Sequence, residues 1–190
     1  MTEPDEKGRI LLTLARSAIA GALGLSVDGF RPLEAGWLEQ QGACFITLKM
    51  NGELRGCIGS LEPHRSLRED VYTNAVGAAR HDPRFPPLTV DEFSRVRIEV
   101  SVLTPLKKMD ASNEAEVLSR LVPGVDGVVF EYGMHRATFL PQVWEQLPDP
   151  VLFMAHLKQK AGLPAAFWHP DVLIYTYKVE KYAEEDERGK

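Results

Sequence analysis

Two cysteines stand in this chain of 190 residues, Cys44 and Cys57, and the second keeps unusual company. The run Glu53-Leu54-Arg55-Gly56-Cys57-Ile58-Gly59-Ser60-Leu61 reads as a strand with a thiol between two glycines. Glycine weakens strand pairing and leaves no side chain to pack, so such a strand suits a place where something approaches the backbone closely. Arg55, two residues before Cys57, could stabilise a thiolate and lower the cysteine pKa. Its planar fork could equally hold an anionic ligand in a bidentate grip, with Gly56 and Gly59 leaving room beside it. A plainer account is also open, in which Cys57 is a small buried hydrophobe and Gly56 makes room for a helix. Cys44 sits in an ordinary apolar strand and reads as core.

Other residues could complete a site. Glu99 and Ser101 project from one strand face, opposite to Val96, Ile98, Val100 and Val102. Glu99 could pair with Arg55 or serve as a general base, although a solvated strand face accounts for both residues equally simply. Glu62 and His64 follow the cysteine segment in an exposed turn, where either could assist Cys57. Arg84 and Phe85 lie in a proline-rich loop; a rigid loop can position a functional arginine, while Phe85 reads as a plug in the core. Glu131 and Arg136 fall on opposite arms of a hairpin and read as a cross-strand pair. The histidines His64, His81, His135, His156 and His169 lack metal-site spacing, and GxGxxG, GxxxxGKS/T, HExxH and GxSxG motifs are missing from the sequence. No cofactor or metal is expected from these residues.

The elements that must position these groups are legible from periodicity. Leu11, Leu14, Ala15, Ala18, Ala22 and Leu23 recur at helical spacing, which predicts an amphipathic helix from about Glu6 to Leu23, stopped at Gly24. A loop with Gly29, Pro32 and Gly36 follows. Residues 43–50 and 53–59 read as strands joined by Asn51-Gly52, a strong hairpin signal because a type I′ turn needs positive φ at both central positions. A two-residue loop then sets Leu48 opposite Arg55, Ile46 opposite Cys57 and Cys44 opposite Gly59. In that register Arg55 and Cys57 share a face with Cys44, Ile46 and Leu48. The two thiols become diagonal neighbours ~7–8 Å apart, too far for a disulfide. A bulge at the glycines would flip this assignment.

Ser66-Leu67-Arg68-Glu69 is a capping box, and Leu67, Val71, Ala75 and Ala78 continue as the apolar stripe of a helix to about His81. Asp82-Pro83 ends it, and the prolines of residues 82–88 make a rigid loop. Val96 to Val102 alternates as a strand. A helix is expected near residues 113–121, capped by Ser112. A second hairpin spans residues 127–140, turning near Gly133-Met134. Asp149-Pro150 opens a helix that closes at Gly162. Leu173, Tyr175, Tyr177 and Val179 alternate along a final strand, and the charged residues 184–190 read as a flexible tail. Helices with mostly hairpin-connected strands give an α+β fold, a mainly antiparallel sheet with flanking helices.

Composition narrows the function classes. With 22 Lys+Arg against 27 Asp+Glu the formal net charge is −5. That balance argues against a nucleic-acid partner; only a gathering of Arg55, Arg65, Arg68, Arg80 and Arg84 would favour RNA. Neither a signal-peptide core nor an apolar run of ~20 residues is present, so no membrane association is expected. Two cysteines without a CxxC fit a reduced, cytoplasmic chain.

The segment Leu54-Arg55-Gly56-Cys57-Ile58-Gly59 resembles the hexapeptide of the AMME-syndrome candidate gene product family, whose bacterial and archaeal members are called AmmeMemoRadiSam system protein A. The likeness continues at Asp82-Pro83-Arg84-Phe85-Pro86-Pro87-Leu88, at residues 98–103, at Pro123-Gly124-Val125-Asp126-Gly127, at residues 137–143 and at Lys160-Ala161-Gly162-Leu163-Pro164. One departure is Lys158, which stands where many relatives carry a cysteine. The resemblance implies an AMMECR-type domain over residues 1–183, with two unequal lobes, the smaller inserted, and the hexapeptide near a groove between them. It implies no established reaction. Its system name suggests a Memo-like protein and a radical S-adenosylmethionine enzyme as partners.

Two functional classes therefore stay open. One is an enzyme or enzyme component with Cys57 as nucleophile, Arg55 as electrostatic partner, Glu99 or Glu62 as proton carrier, and a small anionic substrate held with help from Arg84 and Ser101. The other is a non-catalytic binding or adaptor module, in which the Gly-Cys-Ile-Gly strand docks a Memo-like or radical enzyme partner and Cys57 fills space.

Overall fold

The computed structural model describes residues 3–26 and 35–184. Gly29 and Pro32 of the expected loop, and residues 185–190 of the expected tail, lie outside the described residues. The chain divides into two compact units, one formed by residues up to Leu103 together with those from Glu180 onward, the other by residues 104–179.

In the first unit, helix α1 (Glu3–Ala22) ends as Gly24 takes φ +72°, the left-handed value that favours glycine. A two-residue strand β1 (Gln41–Gly42) pairs with β4 (Arg65–Ser66). Between them lie β2 (Cys44–Met50) and β3 (Glu53–Gly59), joined by Asn51 and Gly52 at φ 54° and 85°, the mirror-image turn the hairpin signal required. Helix α2 (Leu67–Arg80) starts where the Ser66 side chain accepts from the Glu69 amide. A single-turn helix α3 (Val90–Phe93), which the sequence reading passed over, precedes β5 (Arg97–Leu103). The last strand, β10 (Val179–Ala183), returns to this unit, and its sheet runs in the order β10-β5-β2-β3.

Helices α1 and α2 pack on each other and cover one sheet face. Leu11, Ala15 and Ile19 of α1 and Val71, Ala75 and Ala78 of α2 meet Cys44, Ile46, Leu48, Ile98 and Val100, all buried. The stripe of period 3.6 and the alternation of period 2 thus face each other, and burying them is the main stabilising term. Glu184, placed by the sequence reading in the frayed tail, is instead pinned: its carboxylate takes both Nε and Nη2 of Arg16, at 2.6 and 2.5 Å, and the Ile98 amide at 2.9 Å.

The second unit holds β6 (Lys107–Lys108), α4 (Glu114–Arg120), β7 (Gly127–Tyr132), β8 (His135–Phe139), α5 (Pro150–Lys160) and β9 (Leu173–Tyr177), with sheet order β6-β9-β7-β8. The single final strand expected through Val179 is therefore two strands in two sheets. The cap of α4 is Asn113, whose side chain accepts from the Glu116 amide, in place of the expected Ser112. Phe153 stacks on Trp144 at 3.7 Å between ring centroids, and the Trp144 indole donates to the Asp126 carbonyl. Tyr177 is also buried.

Candidate functional site

Strand β3 leaves a regular ladder at one residue. Lys49 pairs with Leu54 and Leu48 pairs with Gly56, so Arg55 is an extra residue with no partner on β2. The space beside this bulge explains the glycine. A Cβ on Gly56 would stand 2.2 Å from the Ala78 carbonyl oxygen, so α2 rests on the strand backbone where only glycine fits. Beyond the bulge every pairing differs from the expected register. Cys57 lies opposite Thr47 rather than Ile46, and Gly59 opposite Phe45 rather than Cys44. A one-residue slip turns a strand over, so Cys57 joins Phe45 and Thr47 on the outer face while Cys44 stays inside. The two free thiols sit on opposite faces of the sheet, not as diagonal neighbours.

Arg55 was expected to share a face with Cys57 and serve its thiol; the structure gives it another partner. It is only 8 % exposed, and its Nε and Nη2 donate to Oε1 and Oε2 of Glu92 at 2.8 and 2.9 Å. Glu92 also takes the Thr89 amide at 2.9 Å, closing a capping box on α3. The Arg55 guanidinium, then the Thr89 donors, hold the Glu92 carboxyl down to about 2. Glu99, the carboxylate expected to meet Arg55, instead accepts from Lys49 at 3.2 Å.

Asp82 and Arg84 fasten the free edge of β3. The Cys57 amide donates to Asp82 Oδ2 at 2.8 Å, and Arg84 Nη2 donates to the Cys57 carbonyl at 3.2 Å. Arg84 also grips Asp82 with Nε and Nη2, at 3.0 and 2.7 Å, and its amide adds a bond to Oδ1. These donors, Arg84 first, hold the Asp82 carboxyl well below the usual carboxylate range. Phe85 is half-buried rather than a core plug, its ring 6.0 Å from the Arg55 guanidinium carbon and 5.6 Å from that of Arg84.

On the outer face three strands align a row of Cys57, Thr47 and Glu99. Thr47 Oγ1 lies 3.4 Å from Cys57 Sγ. Two strand spacings separate the backbones of Cys57 and Glu99, about 10 Å, with Thr47 between them. Ser101 follows in the next row opposite Phe45 and is buried. The Phe45 ring covers Gly59, where a Cβ would come within 2.2 Å of it. Glu62 faces His64 at 3.5 Å in the turn after β3.

The sequence reading missed a buried polar cluster behind Cys44. Asp70 accepts from the Cys44 amide (2.8 Å), the Ser60 hydroxyl (2.6 Å), Arg65 Nε (2.8 Å) and the Asn74 amide group (3.0 Å), and Asn74 donates to the Cys44 carbonyl. Burial and the neighbouring Asp70 carboxylate push the Cys44 thiol up, which makes it inert. A signal was present: Asp70 and Asn74 fall on the apolar side of α2 between Leu67, Val71, Ala75 and Ala78, and polar residues at such positions need partners. For Glu92 the signal was the Thr89–Glu92 spacing of a capping box.

An α+β chain of antiparallel sheets, carrying the Arg55–Cys57 bulge and its aspartate–arginine clamp, is the architecture to set against known proteins. The AMMECR1 family matches residues 12–182, and the chain belongs to that family. It is 38 % identical over 191 residues to Protein MK0488 of Methanopyrus kandleri, covering 97 % of this chain and 91 % of the other. Protein MJ0810 of Methanocaldococcus jannaschii is 37 % identical over 188 residues, with 97 % and 93 % covered. The crystal structure of uncharacterized protein PH0010 from Pyrococcus horikoshii superimposes with a TM-score of 0.75 at 34 % identity, covering 97 % of this chain and 95 % of that one. Among the described residues no helix is long and apolar enough to cross a membrane.

Proposed function

We propose that this AMMECR1 chain is a binding module and not a thiol nucleophile. One observation carries the reading: both arginines near Cys57 are committed to carboxylates, Arg55 to Glu92 and Arg84 to Asp82. A catalytic thiolate needs an adjacent cation or base that is free to serve it; Cys57 meets the Thr47 hydroxyl, and Arg84, the cation in electrostatic contact with its thiol, is held by Asp82. The glycines do not offer a bare backbone to a partner either, since Gly56 is filled by α2 and Gly59 by Phe45. The contact surface of this reading is therefore the side-chain row Cys57–Thr47–Glu99, with Arg84, 55 % exposed at the side chain, beside it. The system name attached to the family by resemblance supplies the partners to try: a Memo-like protein and a radical S-adenosylmethionine enzyme.

Co-purification with those two proteins tests the reading. Cys57→Ser keeps the small polar contact with Thr47 and should retain binding. Thr47→Trp fills the middle of the row and should abolish binding without changing the melting temperature. A Cys57 that alkylates much faster than glutathione at pH 6, or a Cys57→Ser variant that binds its partners yet loses all cellular activity, would restore the nucleophile.

A further inference from the structure

Lys7 of α1 lies among groups that recognise cations. Its ammonium donates to Glu180 Oε2 at 2.6 Å and stands 5.8 Å from the ring centres of both Trp37 and Tyr182. The Tyr182 hydroxyl donates to the same carboxylate oxygen at 3.1 Å. Aromatic faces around a positive charge are the means by which proteins take up alkylammonium groups, and here a carboxylate completes the set. Each wall has a support of its own. Glu180 and Tyr182 sit two residues apart on β10 and so share a face. The Tyr182 ring rests on Gly8, where a Cβ would come within 2.7 Å of it. Trp37 belongs to a single turn of 3-10 helix (Gly36–Glu39) that Leu38 anchors in the core.

The lysine itself is lightly held. Its side chain is 33 % exposed and that of Glu180 47 %. An exposed ion pair and exposed cation–π contacts are each weak, and the flexible four-carbon stem lets the ammonium swing into water while α1 stays in place. Exchanging one ammonium for another leaves the charge of the site unchanged, so the arrival of a second cation strands no carboxylate.

We infer that Trp37, Tyr182 and Glu180 form a binding site for a methylated ammonium group, which Lys7 occupies in the free protein. A methylated cation is less strongly hydrated than the lysine ammonium and spreads its charge over methyl groups that can lie on both rings. Two sources offer this chemistry, a small choline-like molecule and a methylated lysine side chain of another protein. No residue of the Cys57–Thr47–Glu99 row takes part, so this site stands or falls apart from the binding reading above.

Tetramethylammonium chloride, titrated in place of sodium chloride at constant ionic strength, tests it on the indole N–H signals in NMR. A saturable shift is expected at Trp37 and not at Trp144 or Trp168. Lys7→Ala removes the resident cation and should tighten binding about tenfold, the combined weight of its weak contacts. Lys7→Gln, which keeps most of the stem, should tighten it as well, and adding Tyr182→Leu to either variant should undo the gain. Tighter binding of choline than of a trimethyllysine peptide assigns the small-molecule source; the reverse assigns the protein source. A shift that fails to saturate, an equal shift at Trp168, or Lys7→Ala and Lys7→Gln proteins that bind no tighter than the parent overturn the inference.

Discussion

Arg55 and Glu92 meet through two parallel hydrogen bonds of 2.8 and 2.9 Å, joining the one extra residue of β3 to a helix of a single turn. Glu92→Gln keeps the size and removes the charge, leaving a buried guanidinium without its counter-ion. The expected cost is about 3 kcal/mol, at the low end for breaking a buried pair because Glu92 keeps some solvent. Glu92 titrates at about 2 in the fold against 4.5 when free. Its contribution is complete above the free value and shrinks as pH falls from there toward 2. Urea midpoints measured from pH 7 down to pH 3 should fall less steeply in Glu92→Gln than in the parent. Identical slopes would show that the pair does not couple folding to protons.

Gly56 and Gly77 separate two kinds of glycine. A Cβ at Gly56 meets the Ala78 carbonyl oxygen, a backbone atom that cannot swing aside, at 2.2 Å; a Cβ at Gly77 meets the Cγ2 methyl of Ile58 at 3.1 Å. Gly56→Ala should cost about 3 kcal/mol, as overpacking does. Gly77→Ala gains the ~0.5–1 kcal/mol of helix preference for alanine and should come out near neutral. Calorimetry on the two variants decides it, and a Gly56→Ala protein as stable as its parent would mean that α2 does not rest on β3. Loss of partner binding in any Gly56 variant therefore reports on packing rather than on docking.

The clamp on Cys57 is measurable at one amide. Asp82→Asn weakens the acceptor of the Cys57 N–H and loosens Arg84, so the protection of that amide against exchange should drop about 10- to 100-fold. Protection at Val100 on β5, in the sheet interior, should hold. If the Cys57 amide keeps its protection, the edge of β3 is fastened by something other than Asp82.

Native and unfolded protein should differ by one reactive thiol. Cys44 is fully buried and its thiol is pushed up by burial and Asp70, whereas Cys57 is partly exposed. A disulfide reagent should titrate Cys57 alone in the native protein and both thiols in guanidinium. Labelling of Cys44 without denaturant would contradict its place under Asp70 and Asn74.

What the sequence discloses here is local. The Asn51-Gly52 turn, the Ser66 cap and the Asp149 cap are written within four residues, and the structure has all three. The bulge at Arg55 is different, because its cause is the Ala78 carbonyl on another element. Glycine at position 56 warned of a bulge without saying on which side of Cys57 it would fall. That single extra residue turned Cys57 to the face opposite Cys44 and left Arg55 to pair with Glu92, so the partners that the sequence suggested for Arg55 are not the ones it meets. The Asp70 and Glu92 contacts were hidden for the same reason, since a helical position tells what faces inward but not which donor waits there.

Lys158 is a buried cation that the fold has absorbed. It is 2 % exposed, yet its ammonium donates to Glu114 Oε1 at 2.6 Å and to the Phe167 carbonyl at 3.1 Å, within the second unit. A buried cation with both partners in place is tolerable, while removing one partner is costly. Glu114→Gln should therefore destabilise by about 2–3 kcal/mol, the lower range for an ion pair whose acid keeps some solvent. Lys158→Met keeps a long aliphatic stem and removes the buried charge itself. The double variant Glu114→Gln/Lys158→Met should be more stable than Glu114→Gln alone, because no unpaired cation remains. Thermal unfolding of the three proteins checks the order, and a double variant less stable than Glu114→Gln would show that Lys158 contributes through something other than this pair.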